Sequence, residues 1–549
     1  MITPTVDQVL SQNVVGSQDS PSLQAKTLSG VIMTAHVTVY DGANSIGGNK
    51  ILLEDGDTAV FLDFGTPFHS RGLYFEEFLA PRSRTGLLDL IQMGLLPPLA
   101  GVYRTDLEDL EGRAEERAKR YPHYRRIKAD AVLLSHAHMD HCGYISFLST
   151  DIPIVCSVMT AYLSKAIQDA GAHQFEGEMC YVTPKIPEKE GTIGAGRAKD
   201  FPYMRRPYLL ADKLPEDPSD FWNLSPSAKR GRHFPKNQLK TADRIGGLRF
   251  RFLPVDHSIY GAAAIAIETS AGWVVYTGDL RRHGRHGGST ETLVNQARAL
   301  NPVALVCEGT NIDREPGPTE EEVYESCLQA VEEAEGEFVV ADFGPRNVER
   351  LLTFLEITRF TGRRLAITDK DAYLLTAMHA ADPAIPTPTT DQNIVVYRRA
   401  LLRPDRWVEY VREWYPYQVT AADVGAHPGD YIVCFSFFDT SELVDLDPKG
   451  GRWIYSASEP HDEEQQFEIT RLRNWLDRFH LSPLGLGDAP SPYHSSGHIS
   501  GPELRDLIRE ISPRMVIPVH TTNPRRFVEI LRGGIDIRLP TIGAPITLP

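Results

Sequence analysis

The chain is poor in cysteine, in long apolar runs and in positive charge. Its 549 residues include six cysteines: Cys142, Cys156, Cys180, Cys307, Cys327 and Cys434. No two of them have C-x-x-C spacing, and four lie in or beside apolar runs, where a small buried thiol is expected. A disulfide scaffold is thereby disfavoured, and a reducing, cytoplasmic setting is expected. No stretch is long enough to span a bilayer, and Met1 to Gly30 shows no basic segment followed by an apolar one. Neither membrane insertion nor export is expected. Internal repeats and low-complexity tracts are also missing. Lys+Arg 57 against Asp+Glu 73 leaves a net charge of −16. A body this acidic is no generic nucleic-acid binder, so any such site must be a local basic groove. The composition, 42% hydrophobic and 24% charged, is globular. A chain of this length exceeds one ordinary core and implies at least two domains.

The densest chemistry lies in Ser135-His136-Ala137-His138-Met139-Asp140-His141, directly after the apolar run Ala131-Val132-Leu133-Leu134. Three imidazoles and a carboxylate at the end of a buried strand form a metal-binding loop. Nitrogen and oxygen donors together suit zinc and similar first-row metals. One tetrahedral ion would not use all four groups and keep a place for water, so a two-metal site is sought.

Further along, the same pattern of apolar strand followed by a ligand-type residue recurs. Leu248 to Leu253 leads to His257, Trp273 to Tyr276 to Asp279, Pro302 to Val306 to Glu308, and Met515 to Val519 to His520. In open α/β architectures ligands collect at the carboxyl ends of strands. His136, His138 and His257 suffice for one metal, and Asp140, His141 and His520 for a second. Asp279, with two oxygens, can bridge them. Water shared by two such ions is deprotonated near neutral pH. A leaving alkoxide needs a proton; His498 is a candidate acid, and Glu308 a carboxylate to hold its imidazolium and raise its pKa. The run Arg281-Arg282-His283-Gly284-Arg285-His286 begins two residues after Asp279, and Arg281 and Arg282 are read as phosphate-tracking residues. Arg346 and Arg350 form a weaker second patch.

Between these positions the chain changes character. Short strands and glycine-rich turns occupy Val31 to Gly65. An apolar stretch, Leu87 to Leu99, reads as helical, and a charged one from Asp106 to Lys128 as a solvated helix. Gly171 to Arg244 is rich in Pro, Arg and Lys, and both atypical regions read as insertions. From Val303 strands and helices alternate, which argues for a second α/β unit with a mostly parallel sheet. Ser500-Gly501-Pro502-Glu503 is a capping box, and Leu504, Leu507, Ile508 and Ile511 form one apolar helix face.

Taken in order, these motifs resemble those of the β-CASP branch of the metallo-β-lactamase superfamily, and within it the ribonuclease J-like enzymes. The resemblance rests on Asp63 in Leu62-Asp63-Phe64-Gly65, HxHxDH at His136 to His141, His257 in Asp256-His257-Ser258, and Thr277-Gly278-Asp279. It continues through Glu308 in Glu308-Gly309-Thr310-Asn311, His494-Ser495-Ser496-Gly497-His498, and Pro518-Val519-His520. It implies an α/β fold, a metallo-β-lactamase αββα sandwich interrupted by a Rossmann-like β-CASP domain. The implied division is a lead-in over 1–30, a first part of the sandwich over 31–305 with insertions at about 68–129 and 171–244, the β-CASP domain over 306–500, and the C-terminal part of the sandwich over 501–549.

The resemblance further implies two zinc ions per chain, with manganese able to serve, and hydrolysis of single-stranded RNA by a metal-activated hydroxide. The products would carry 5′-phosphates, and the role would be RNA processing or decay. Asp140 joins Glu308 and His498 in the implied catalytic set, and His494, Ser496 and His498 lie near substrate phosphate. Asp63 is read as orienting the metal-binding histidines rather than as a ligand. A histidine at the position of His520 goes with RNA substrates. The alternatives are a DNA nuclease of the repair type and a small-molecule metallohydrolase. Two departures stand out. Phe435-Ser436-Phe437-Phe438-Asp439-Thr440-Ser441-Glu442 replaces a TGSQGEP-like loop. Only Thr521 to Pro549 follow His520, so a homo-oligomer would not form through a C-terminal domain of the ribonuclease J type.

Overall fold

A computed structural model describes residues 34–549 except positions 77, 109–110, 172–174, 213, 215–220, 228–230, 345, 458–462 and 488–489. The lead-in expected over 1–30 lies outside the described residues.

Alternation of apolar side chains builds the first two sheets. In the strands His36–Asp41, Lys50–Asp55 and Thr58–Phe64, the side chains of Val37, Val39, Ile51, Leu53, Val60 and Leu62 face one way, while Leu52 and Phe61 face the other. A period of two is what a strand buried on both faces by different layers requires. These strands belong to an eight-stranded sheet with the spatial order Lys240–Thr241, Tyr208–Leu210, Ile154–Cys156, Ala131–Leu133, Thr58–Phe64, Lys50–Asp55, His36–Asp41 and Pro545–Thr547. A seven-stranded second sheet runs Arg244–Ile245, Leu248–Pro254, Ala263–Thr269, Gly272–Tyr276, Ala304–Glu308, Met515–Val519 and Asp536–Ile537. Phe250, Ile265, Ile267, Val274, Val306 and Ile517 meet the first sheet in a shared core.

Helices cover both outer faces. Val158–Asp169 places Tyr162, Leu163 and Ala166 against the first sheet. On the second sheet lie Gly287–Leu300 and Gly501–Ile511, with Leu293, Val294, Leu504, Leu507, Ile508 and Ile511 turned inward. The helix Gly501–Ile511 starts as its sequence indicates: the Ser500 amide and hydroxyl both donate to Glu503, at 3.2 and 2.6 Å. The result is an αββα sandwich.

A third, seven-stranded sheet is parallel throughout, in the order Gln418–Val419, Ile394–Tyr397, Arg364–Ile367, Tyr431–Cys434, Val339–Asp342, Gly451–Tyr455 and Leu481–Leu484. The helices Val348–Thr361 and Asp369–Ala381 cover one face, and Glu463–Arg478 the other. This Rossmann-like unit interrupts the sandwich. The chain leaves the second sheet after Ala304–Glu308 and returns in Met515–Val519, its direct parallel neighbour.

Three sequence readings change. The apolar stretch from Leu87 to Leu99 is helical only over Leu88–Gln92, because Gly94 takes φ +70° and Pro97 and Pro98 follow. Among its described residues, the charged stretch from Asp106 to Lys128 contains a single α-helix, the six-residue Arg113–Ala118, preceded by Gly112 at φ +67°. The stretch 171–244 is not wholly outside the scaffold, since Tyr208–Leu210 and Lys240–Thr241 extend the first sheet.

The sandwich and the third sheet share one apolar cluster through the helices Val158–Asp169 and Asp369–Ala381. At its centre is Asp169, 1% exposed, which accepts from Tyr181 Oη and Tyr373 Oη at 2.7 Å each and pairs with Lys165 Nζ. The ammonium group also lies over the rings of Phe221 and Phe234. Asp169→Ala strands a buried ammonium and is expected to cost about 3–5 kcal/mol. Tyr373→Phe removes one hydrogen bond to a charged group and should cost about 2 kcal/mol. Chemical denaturation of both variants checks the ranking; equal losses would contradict it.

Candidate active site

Each residue singled out for metal binding stands at or just past the carboxyl end of a strand. Asp63 lies within Thr58–Phe64, and the His136–His141 loop follows Ala131–Leu133, its parallel neighbour. His257 follows Leu248–Pro254, and Asp279 follows Gly272–Tyr276. Glu308 closes Ala304–Glu308, and His520 follows Met515–Val519. The first-sheet and second-sheet groups meet at one edge of the sandwich. Close backbone approach is needed there: a Cβ on Gly65 would lie 1.6 Å from the Asp140 carbonyl oxygen.

Among the described residues, the seven expected ligands fill two of three donor groups that share Asp279; the third joins it to Glu308, His498 and His520. His136, His138, His257 and Asp279 form one, and Asp140, His141, Asp279 and His520 the other, each with donor atoms within 4.8 Å of one another. In the first group His138 Nδ1 lies 3.1 Å from both His136 Nε2 and His257 Nε2. In the second, His520 Nε2 is 3.3 Å from His141 Nε2 and 3.2 Å from Asp140 Oδ2. Asp279 Oδ2 is 3.0 Å from His141 Nε2, while its Oδ1 is buried with no hydrogen-bond partner. Ring nitrogens turned on one another, beside a carboxylate oxygen without a proton donor, fit a shared cation.

The protonation states agree with that fit. Burial, reinforced by His141 and His257, holds His136 well below the ordinary imidazole value; burial and His138 do the same for His257. His138 falls to about 3, chiefly through burial, against the pull of Asp140. These three imidazoles are therefore neutral, the form that coordinates a metal. Burial also lowers His141, but Asp279 and Asp140 outweigh it and hold the ring well above the ordinary value. Burial disfavours ionisation of Asp140 and Asp279, yet His141 and His520 keep both below the usual carboxylate range.

A surrounding layer fixes the rings. Asp63, at φ +59°, accepts from the Ser135 amide, Ser135 Oγ, His141 Nδ1 and Tyr276 Oη, all at 2.7 Å. Ser135 Oγ is in turn 3.0 Å from His136 Nδ1. His257 Nδ1 donates to the Gly497 carbonyl at 2.6 Å. The Nδ1 atoms of His136, His141 and His257 each face an acceptor, which leaves their Nε2 for the centre, whereas His138 presents Nδ1. His520 Nδ1 lies 2.8 Å from Thr310 Oγ1, which donates to Glu308 Oε2 at 2.7 Å. Ser135, Tyr276 and Thr310 were not assigned these roles from sequence. Ser135 and Thr310 are immediate neighbours of singled-out residues, but Tyr276 reads only as a strand aromatic.

Glu308 is buried and His498 partly so. His498 Nδ1 lies 3.1 Å from Glu308 Oε2, and Glu308 Oε1 also accepts from the Leu280 amide at 2.8 Å. Burial depresses the His498 ring, but Glu308 and then Asp279 overcome this and raise it to about 9. Ser496 Oγ accepts from Asn311 Nδ2 at 2.9 Å and from the His498 amide at 3.2 Å. His494 sits beside Arg350 and is lowered to about 4 by burial and that cation, so it is neutral near pH 7.

The arginine run is not a phosphate track. Arg281 is fully buried: Nη1 is 2.9 Å from Glu320, Nη2 pairs with Glu349, and Nε lies 3.4 Å from Asp256. Arg282 turns to Glu291 and Glu510 at 3.0 and 3.2 Å. Arg350 likewise pairs with Glu320 and donates to Ser456 Oγ and, at 2.7 Å, to the Tyr493 carbonyl. Acidic side chains distant in sequence draw these arginines in. Arg346 differs, because its charge acts directly on His138 and Asp140 from the loop ahead of Val348–Thr361. Asp63→Asn takes away a carboxylate that aligns two imidazoles and is expected to weaken binding of Zn²⁺, used as a probe, by about 10–100-fold while secondary structure is kept. Competition with a chromophoric chelator measures it, and wild-type affinity in the variant would contradict this role for Asp63.

No protein-family model matches the chain. It is 24% identical over 499 residues to ribonuclease J of Mycolicibacterium smegmatis, covering 88% of this chain and 68% of that one. To ribonuclease J of Pyrococcus abyssi it is 23% identical over 409 residues, 72% of this chain and 75% of that one. A crystal structure of an Enterococcus faecalis protein of unknown function superposes with a TM-score of 0.62 at 20% identity, covering 94% of this chain and all of that one, and shows the fold alone. Likeness to proteins named ribonuclease J over most of the chain supports the ribonuclease J-like relationship indicated by the motifs.

Proposed function

We propose that this protein is a zinc-dependent ribonuclease that hydrolyses phosphodiester bonds of single-stranded RNA and leaves 5′-phosphates, in RNA processing or decay. The observation that carries the reading is two metal-binding groups sharing Asp279 with the Glu308–His498 pair at their side. His136, His138 and His257 would hold one ion, and Asp140, His141 and His520 the other, with Asp279 between them. Two divalent ions, when bound, supply a hydroxide near neutral pH and offset phosphate charge.

The chain's own groups account for the other half of the reaction. His498 carries a proton near pH 7, because Glu308 and Asp279 favour its charged form. Its Nδ1 is committed to Glu308, so Nε2–H is the proton available to a leaving alkoxide. Arg346 adds positive charge beside Asp140, where an anionic substrate would lie. The surrounding layer keeps these groups aligned before substrate arrives, which is what electrostatic preorganisation demands.

RNA as the substrate rests on the relatives' name and on His520. Six unpaired, buried cysteines suit a reducing cytoplasm, and among the described residues no helix is long and apolar enough to cross a membrane. End-labelled RNA and DNA of one sequence, bearing 5′-phosphate or 5′-triphosphate, test the reading. Metal-loaded protein should cut the RNA and stop on chelation. His498→Ala should keep its metal and lose about 10²–10⁴-fold in rate. Absence of RNA cleavage by fully loaded protein, or preference for DNA, would overturn the proposal; loss of metal from His498→Ala would overturn the acid role.

A further inference from the structure

We propose that Arg281 is a positioning residue: it sets the Ser496–Gly497 peptide, orients His257 through it, and ties that peptide to the inserted sheet. The inference rests on the metal-binding reading of the site. Arg281 Nη1 donates to the Ser496 carbonyl at 3.0 Å, and His283 Nε2 lies 2.9 Å from the same oxygen. A carbonyl held by two donors, one of them a guanidinium, has its peptide plane fixed. The next carbonyl along the chain, that of Gly497, accepts from His257 Nδ1 at 2.6 Å. Only the backbone torsions of Gly497 separate the two carbonyls. Little slack remains there: a Cβ on Gly497 would lie 2.8 Å from Ser258 Oγ and 3.1 Å from His257 Cε1. His257 Nε2 is thereby presented to His138 and Asp279.

The other side of the guanidinium faces the inserted unit. Glu320 begins the helix Glu320–Glu332, and Glu349 lies in the first turn of Val348–Thr361. The backbone is held as well, since the Arg281 amide donates to the Asp256 carbonyl at 2.8 Å, next to His257 itself. One planar fork thus serves a peptide of the site and carboxylates of two helices beyond the sandwich. A lysine, with a single compact ammonium, cannot span those acceptors. Arg350 offers an internal comparison. It pairs with the same Glu320 and is equally buried, but it holds Tyr493 and Ser456, not Ser496.

Zinc uptake by metal-free protein, read by chelator competition alongside circular dichroism and thermal unfolding, tests the assignment without RNA. Arg281→Lys should weaken zinc binding by about 10–100-fold. On RNA it should lower kcat more than it changes KM. Arg350→Lys should lower the unfolding temperature and leave zinc affinity at the wild-type value. Should Arg281→Lys fail to fold, His283→Leu decides, since it removes the other donor to the Ser496 carbonyl while the ion pairs stay; weaker zinc binding supports the proposal and unchanged binding overturns it. Folded Arg281→Lys with wild-type zinc affinity, or an equal loss in Arg350→Lys, also overturns it. Failure of the wild-type protein itself to take up zinc would instead remove the metal-binding reading on which the proposal depends.

Discussion

Asp279 is the charge around which the rest of the centre is arranged. A carboxylate this deeply buried stays ionised only if positive charge lies against it. Imidazoles from both groups approach its Oδ2, and His520 approaches its Oδ1. His136, His138 and His257 are kept neutral chiefly by burial, whereas His141 is driven to its charged form by the carboxylates beside it. The centre is thus asymmetric in protons. The three imidazoles of the first group are in the form that coordinates a metal, whereas the carboxylates beside His141 favour its protonated form.

Two further buried carboxylates act as mirror-image supports. Asp63 stands under the first-sheet loop and collects a backbone amide, a serine hydroxyl, a tyrosine hydroxyl and His141. Glu308 stands at the second-sheet end and collects a backbone amide, a threonine hydroxyl and His498. Each sheet therefore contributes a carboxylate that holds its own histidines. The two differ in what they hold: Asp63 aligns rings turned to the metal-binding groups, while Glu308 also maintains a proton on a ring beside them.

Much of this was legible in the sequence because local pattern and chemistry coincide. Four donors within six positions after an apolar strand leave little room for another reading, and His257, Asp279, Glu308 and His520 each repeat the strand-then-ligand order. The alternation of Val37, Val39, Ile51 and Leu53 likewise marks two-sided strands. Harder to read was the direction in which a charged side chain turns. Arg281 and Arg282 read as phosphate-tracking residues beside Asp279, yet Arg281 is claimed by Glu320 and Glu349, 39 and 68 residues further on. Helix length failed in the same way. The apolar pattern runs from Leu87 to Leu99, but Gly94, Pro97 and Pro98 within it stop the helix by their backbone geometry. Tyr208–Leu210 and Lys240–Thr241, the strands that extend the first sheet, are three and two residues long and pair with partners distant in sequence, so no local pattern marks them.

The inserted sheet departs from and returns to two strands that pair in register from Ala304 with Met515 to Glu308 with Val519. By connectivity alone it is a module that could be excised: Asn311 bridges Ser500, and the helix Gly501–Ile511 that follows would remain as the crossover that two parallel strands require. Electrostatics says otherwise. Excision would leave Arg281 in the sandwich without Glu320 and Glu349, and Lys165 and Asp169 without the cover of Tyr373. The unit is modular in topology and inseparable in charge, so the sandwich could not change this insert for another without also changing residues inside its own core.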